Sequence, residues 1–353
     1  MIIQSILKGL RAAARFCQQT IGWNRIALAI SLGIIAVALV VLHRMLQGID
    51  IDDVIFAIRA TPWHDIALAA LFVAAAYFTL TFYDFFALRQ IGKKHVPYRI
   101  AALGGFTSYS VGHNVGATVF TGGAVRYRIY SAQGLDAIDV AKVCFLAGLT
   151  FWLGNATVLG LGILVEPEAA SRIDQLPPIL NRFLAIVVLT VLVGYVWWVS
   201  RGDRAMGRGG WRVRLPNGRS TLVQIGIGIV DLACCALAMY ALMPAEPDIG
   251  FITLAVIFVS ATLLGFASHA PGGIGVFDAA MLVALAMFDR EELLASLLLF
   301  RLLYYIVPFT LALLILGVRE IVISVVGSRT FTPATGIEAA GPLKSEIDRT
   351  PRG

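Results

Sequence analysis

Six predominantly apolar runs, at residues 26 to 42, 64 to 88, 143 to 165, 180 to 200, 221 to 243 and 293 to 318, leave this chain few folds to adopt. A helix needs roughly 17–25 such residues to cross a hydrocarbon core of about 30 Å, and lipid offers no water to backbone polar groups left outside a helix. The runs predict an all-α polytopic integral membrane protein with about six to eight transmembrane helices. Two glycine-rich breaks interrupt the pattern: Gly112 to Arg128 (GHNVGATVFTGGAVRYR) and Ser268 to Asp278 (SHAPGGIGVFD). A break at membrane depth persists only where protein or a hydrated cavity takes up the freed N–H and C=O groups, so a functional site is expected there.

With 58% hydrophobic and 14% charged residues, the chain is a poor match to a soluble enzyme. Its net charge is +6, but the Lys and Arg residues gather in short loops, as topology signals and contacts to anionic lipid do. No nucleic-acid partner is expected. Cys17, Cys144, Cys234 and Cys235 have neither metal-ligand nor disulfide spacing, and no metal or cofactor is expected. Residues 1–23 read as a basic amphipathic interfacial helix, with Ile3, Ile6, Leu7 and Leu10 on one face and Lys8, Arg11 and Arg15 opposite. His43-Arg44-Met45-Leu46 is no small-residue cleavage site, so the first run is expected to be a retained anchor. Residues 24–326 then form a single membrane domain, and 327–353, rich in Gly and Pro with mixed charge, a disordered cytoplasmic tail.

Loop charge sets the direction of each span. The amino-terminal stretch, Arg89 to Arg99, and the six-arginine loop from Arg201 to Ser220 are basic and read as cytoplasmic, whereas Glu166 to Asp174 is mostly acidic and reads as outside. Segment 100 to 124 then begins and ends inside, yet extends only about 37 Å as helix, too short for two crossings. A re-entrant hairpin resolves this, with turn residues drawn from Gly112, His113, Asn114 and Gly116. Residues 250 to 288 begin and end outside; at about 58 Å they allow either two thin crossings or one deep hairpin broken at Pro271-Gly272-Gly273. Opposed hairpins suggest inverted halves, about 24–200 and 221–320, meeting near the midplane.

Candidate residues cluster at these breaks. Asp231 and Arg301 lie inside apolar runs, where each costs about 2.5–3.5 kcal/mol at a helix centre, so both should face protein or water. Arg301 can pair with Asp231 or with Asp278; a buried tether and a headgroup-binding or proton-coupling role stand level. Arg126 and Arg128 follow Gly122-Gly123 and point to different helix faces. They read either as ordinary cytoplasmic charge or as phosphate ligands, since guanidinium matches phosphate with parallel hydrogen bonds. His113 and His269 each sit at a break, where an imidazole can take a proton or bond a substrate. Asn114, Asn155 and Asp84 rank lower, and Asp84 is expected to pair with Arg89 at the interface. Gly122, Gly123, Pro271, Gly272, Gly273 and Gly275 are the expected hinge positions. No Ser/His/Asp order or paired-carboxylate spacing marks a catalytic residue.

The run Gly112-His113-Asn114, then Thr121-Gly122-Gly123-Ala124-Val125-Arg126-Tyr127-Arg128-Ile129-Tyr130-Ser131, then Pro271-Gly272-Gly273-Ile274-Gly275-Val276-Phe277-Asp278 resembles the amino-terminal membrane region of the bacterial phosphatidylglycerol lysyltransferases, the multiple peptide resistance factor family, and its stand-alone relatives. The likeness covers about residues 24 to 320. In that family the membrane region is associated with moving aminoacylated phosphatidylglycerol between leaflets, while synthesis belongs to a soluble carboxy-terminal domain. The resemblance thus implies translocation without the transferase, hence no enzyme. The family's pattern often has Glu after Gly-Val-Phe, where this chain has Asp278, which keeps the charge and shortens its reach.

The resulting expectation is a flippase-like translocator of anionic or aminoacylated phospholipid in the bacterial inner (cytoplasmic) membrane, multi-pass, with both termini cytoplasmic. Arg126, Arg128 and Arg301 would attract phosphate, and Asp278 or Asp231 would balance an amine. Its partners would be the bilayer, anionic lipid headgroups and a separate lipid-modifying enzyme. The alternatives are an intramembrane enzyme of lipid or glycan metabolism using His113 or His269 as a base, and an accessory scaffold for a lipid synthase.

Overall fold

The computed structural model describes residues 51–116, 118–207 and 211–329. The interfacial helix at 1–23, the first run at 26 to 42 and residues 330–353 lie outside them. The chain divides into two compact units at Leu313 and Leu314. The second unit, within the described residues, is the continuing helix to Arg329, with Leu314, Ile315, Val318 and Val322 exposed. Helix therefore extends past residue 327, where the glycine had suggested the start of the tail.

The described chain is an all-α polytopic membrane protein. Its helices are α1 (Ile51–Ala60), α2 (Trp63–Gln90), α3 (Tyr98–Val115), α4 (Thr118–Tyr130), α5 (Ala137–Val165), α6 (Pro167–Asp174), α7 (Pro178–Ser200), α8 (Gly218–Leu242), α9 (Phe251–Ala267), α10 (Val276–Ala284), α11 (Arg290–Arg301) and α12 (Val307–Arg329). Five helical stretches among the described residues are long and apolar enough to cross a membrane: α2, α5, α7, α8 and the continuous stretch Arg290–Arg319. They coincide with the second to sixth apolar runs. Their starts follow local chemistry. The side chains of Asp136, Asn217 and Asp289 accept the N–H of Asp139, of Ser220, and of both Glu291 and Glu292, taking up donors that a helix leaves unpaired.

Helix α8 is the centre of the first unit, packed on α2 and α5. At its crossing with α5 a Cβ on Gly154 would stand 2.7 Å from the Gly228 Cα, so the two backbones touch, the close approach that small residues permit between membrane helices. Gln224 donates to the Thr150 hydroxyl at 2.8 Å beside it. Helix α7 is peripheral: Asn181, Ala185 and Val199 are its buried residues, while Ile179, Phe183, Val191, Val193 and Trp197 are exposed, an apolar face suited to lipid. In the arginine-rich loop, Ala205–Met206 pairs antiparallel with Val213–Arg214.

Two helical hairpins complete the unit. Helices α3 and α4 fold back on each other at Gly116, whose φ of 82° is a left-handed conformation open to glycine. Helices α9 and α10 are joined by residues 268–275, including a 3₁₀ turn at Pro271–Gly273. The second legs are short, about 20 Å for α4 and about 14 Å for α10, against a hydrocarbon core of about 30 Å. Neither α9 nor α10 is among the helices long and apolar enough to cross a membrane.

The first break is narrower than the sequence suggests. His113 and Asn114 belong to the last turn of α3, and the chain turns at Gly116. Gly122 and Gly123 are not hinges but residues inside α4. A Cβ on Gly122 would stand 3.0 Å from the Ser108 carbonyl oxygen, so this glycine lets α4 lie close against α3.

Candidate functional site

The tips of the two hairpins meet. A Cβ on Gly116 would lie 3.2 Å from the His269 carbonyl oxygen and 3.4 Å from the Pro271 Cα and N, so main chain of one break rests on main chain of the other. Beside this contact is a cavity of about 200 Å³. Tyr109 and His113 of α3 line it, with Asp231 of α8, His269 and Gly272 of the second break, and Tyr304. Its walls are otherwise largely aromatic and apolar, with Phe120, Phe151, Phe258, Phe266 and Phe277 among them.

Each hairpin is tied to the helical frame by an arginine–aspartate pair. In the first, Arg126 Nε donates to Asp84 Oδ1 and Oδ2 at 3.1 and 2.9 Å, and Nη2 donates to Oδ1 at 2.8 Å. The Tyr130 hydroxyl adds a bond to Asp84 Oδ2 at 2.6 Å. Asp84 is 0% and Arg126 4% exposed, so the pair is sealed between α2 and α4. The sequence had assigned Asp84 to Arg89 at an interface, but Arg89 lies over the Phe85 ring instead. Gly104 makes room for this arrangement: any Cβ there would collide with the Tyr130 hydroxyl.

In the second hairpin Arg301 Nε and Nη2 donate to Asp278 Oδ1 and Oδ2 at 2.8 and 2.6 Å, while Nη1 donates to the Gly272 carbonyl at 3.1 Å. Asp278 Oδ2 also accepts the Gly275 N–H at 3.0 Å, so a carboxylate in the first turn of α10 gathers both the bend and the arginine. Of the two partners open to Arg301, the structure selects Asp278. Pro271, Gly272, Gly273 and Gly275 do form the break, with Gly272, Gly273 and Gly275 at positive φ. His269 joins them at φ 56°, a region few non-glycine residues enter.

Asp231 is different. Its Oδ2 accepts the Tyr83 hydroxyl at 2.9 Å, its Oδ1 has no hydrogen-bond partner, and the residue is 4% exposed at the cavity wall. His113 Nδ1 is likewise buried without a partner, its ring 5.7 Å from that of Tyr109 and stacked 6.2 Å from that of Tyr304.

The wall near Tyr304 is a π-helical turn, Leu302–Ile306. Pro308 lacks the N–H that the Tyr304 carbonyl would accept, which forces the local widening. The Tyr77 hydroxyl fills that role at 3.0 Å, and Asn114 Nδ2 donates to the neighbouring Tyr305 carbonyl at 3.1 Å. Asn114 thereby joins the first hairpin to the widened turn.

The structure thus gathers His113, His269, Asp231, Gly272 and Gly273 around one cavity, with Asn114 and Arg301–Asp278 supporting its walls. Arg126 stands behind the Tyr109 ring, 4.8 Å from its centroid, and does not line the cavity. Arg128 is exposed on α4 and does not line it either. Asn155 is buried elsewhere on α5, its amide donating to Phe151 O at 2.9 Å. Tyr83, Tyr109 and Tyr304 escaped the sequence reading, because tyrosines in apolar runs look alike whether they pack, anchor or line a site.

These features define a class: an all-α polytopic membrane protein in which two helical hairpins meet beside a largely apolar cavity with a few polar groups on its wall. Residues 26–312 match the family described as lysylphosphatidylglycerol synthase TM region, and the chain belongs to that family. The uncharacterized protein slr0712 of Synechocystis sp. is 30% identical over 69% of this chain and 76% of its own length. The inner membrane protein YbhN of Escherichia coli is 29% identical over 76% of this chain and 84% of its own. The phosphatidylglycerol lysyltransferase of Staphylococcus aureus (strain COL) is 25% identical over 84% of this chain, but the match spans 35% of that enzyme.

Proposed function

We propose that this protein moves phospholipid headgroups across the bacterial inner membrane as a flippase-like translocator, with anionic or aminoacylated phospholipid as cargo and both termini cytoplasmic. The observation that carries this is the meeting of two hairpin tips over one cavity, in a bundle with an apolar outer face. The hairpins are read as re-entrant, entering from opposite leaflets, and a headgroup passing between them exchanges water for the cavity's polar groups while its acyl chains stay in lipid. Family membership and the partial likeness to a lysyltransferase support a lipid as cargo.

The charge balance refines the roles expected of the arginines. Arg126 and Arg301 are each bound to a carboxylate, so neither offers an unneutralised charge to phosphate. They are better read as ties holding the hairpins. Reconstituted into liposomes, the purified protein should expose fluorescent aminoacyl phosphatidylglycerol of the inner leaflet to a quencher outside, faster than protein-free vesicles do. Equal rates would sink the proposal.

A further inference from the structure

Among the described residues, three aspartates are buried in the first unit, and only one has no cation opposite it. Asp84 is held by Arg126 and Asp278 by Arg301. Asp231, which lines the cavity, meets the Tyr83 hydroxyl alone, and its Oδ1 is buried without a hydrogen-bond partner.

The titratable and charged groups around Asp231 are few. Helix α2 presents Tyr77 and Tyr83, and α3 presents Tyr109 and His113. Arg126 of α4 stands behind Tyr109 and is bound to Asp84, with Cys144 of α5 beside it. Helix α8 itself contributes Cys234 and Cys235, and the π turn Tyr304 and Tyr305. His269 lines the cavity from the second break, and α9 has no titratable residue between Phe251 and Ala267. Asp278 and Arg301, from α10 and α11, satisfy each other, and Arg182 and Tyr195 of α7 do not line the cavity. No member of this set forms an ion pair with Asp231.

An ionised carboxylate removed from water with no counter-charge is costly, so it becomes neutral by taking a proton or by receiving a cation. Both routes use the same oxygen. The aromatic faces around it favour an organic cation such as an ammonium group, and their bulk leaves the site about 200 Å³, room for one small polar group.

We infer that Asp231 is an exchange site at which a proton and the ammonium group of a lipid headgroup replace one another, so that an amine-bearing lipid moves one way as a proton moves the other. This rests on the translocator reading above and adds its energy source. When the ammonium enters, the carboxylic O–H bond breaks, the electron pair stays on the carboxylate and the proton leaves to water; the His113 imidazole, whose Nδ1 has no hydrogen-bond partner, lines the same cavity. When the ammonium leaves, a proton returns. The site is neutral in both states.

The test uses the full chain in proteoliposomes bearing fluorescent lysyl-phosphatidylglycerol in the outer leaflet and a pH-sensitive dye in the lumen. A lumen one pH unit more acidic than the outside should speed inward movement up to about tenfold, the ratio of proton activities, and should alkalinise the lumen as lipid enters. Labelled phosphatidylglycerol without an amine should show neither effect. Asp231→Asn, fixed neutral, should abolish both.

Lipid movement by the wild type that ignores the gradient overturns the exchange and leaves the translocator reading standing, whereas no movement at all overturns both. A gradient response retained in Asp231→Asn overturns the assignment to this residue. Tyr83→Phe keeps the carboxylate while removing its one donor, and should move the pH midpoint of lipid movement upward by about one unit, so the proposal stays testable should the Asn variant fail to insert. An unmoved midpoint also counts against it.

Discussion

A carboxylate with three donors and a carboxylate with one have different fates inside a membrane, and Asp84 and Asp231 are the two cases. Asp84 and Arg126 are fully desolvated, so removing one partner strands the other. Asp84→Asn or Arg126→Leu should each cost about 3–5 kcal/mol, and the double variant Asp84→Leu/Arg126→Leu should recover part of that loss. Thermal unfolding of detergent-purified protein measures this; single variants as stable as the parent would mean the pair is not a tie. Asp231 and Arg301 were legible as costly intramembrane charges, and Asp278 as a possible partner, because charge inside an apolar run stands out. The Asp84–Arg126 pair was not, since Asp84 sits four residues from the end of its run at 88, where an interfacial position is the default expectation. Only the three-dimensional return of α4 against α2 places Arg126 beside it.

At the scale of helices, the long spans were readable from run length, and the places where helices fold back from the two glycine-rich breaks. What was hidden is where short helices stop. The apolar residues Met281 to Phe288 continue past the end of α10 at Ala284, so hydrophobicity alone draws no boundary there. Glycine was ambiguous for a similar reason: the same residue type turns a chain at Gly116 and brings helices together at Gly122. The α5–α8 crossing separates these roles experimentally. Gly228→Ala puts a Cβ 2.7 Å from the Gly154 Cα and should destabilise the protein by about 1–3 kcal/mol. Gly226→Ala, with nothing within 4 Å of its Cβ, should be neutral or stabilising by up to about 1 kcal/mol. Equal melting temperatures for the two variants would refute backbone contact at the crossing.

For the molecule as a whole, the proposed orientation rests on the alternation of basic and acidic loops. Cysteines introduced as Asp174→Cys and Glu246→Cys should react with a membrane-impermeant thiol reagent in intact spheroplasts, whereas Asp203→Cys should react only after lysis. The reverse pattern would invert every statement about which leaflet each hairpin enters. The contact between the hairpins holds either way, because Gly116 meets His269 and Pro271 through main-chain atoms. A seam made of backbone does not depend on which side chains surround it. The walls at Phe120, Phe151 and Thr262 are therefore a replaceable lining, and altering their size or polarity is a route to changing which cargo is accepted while the closure itself is kept.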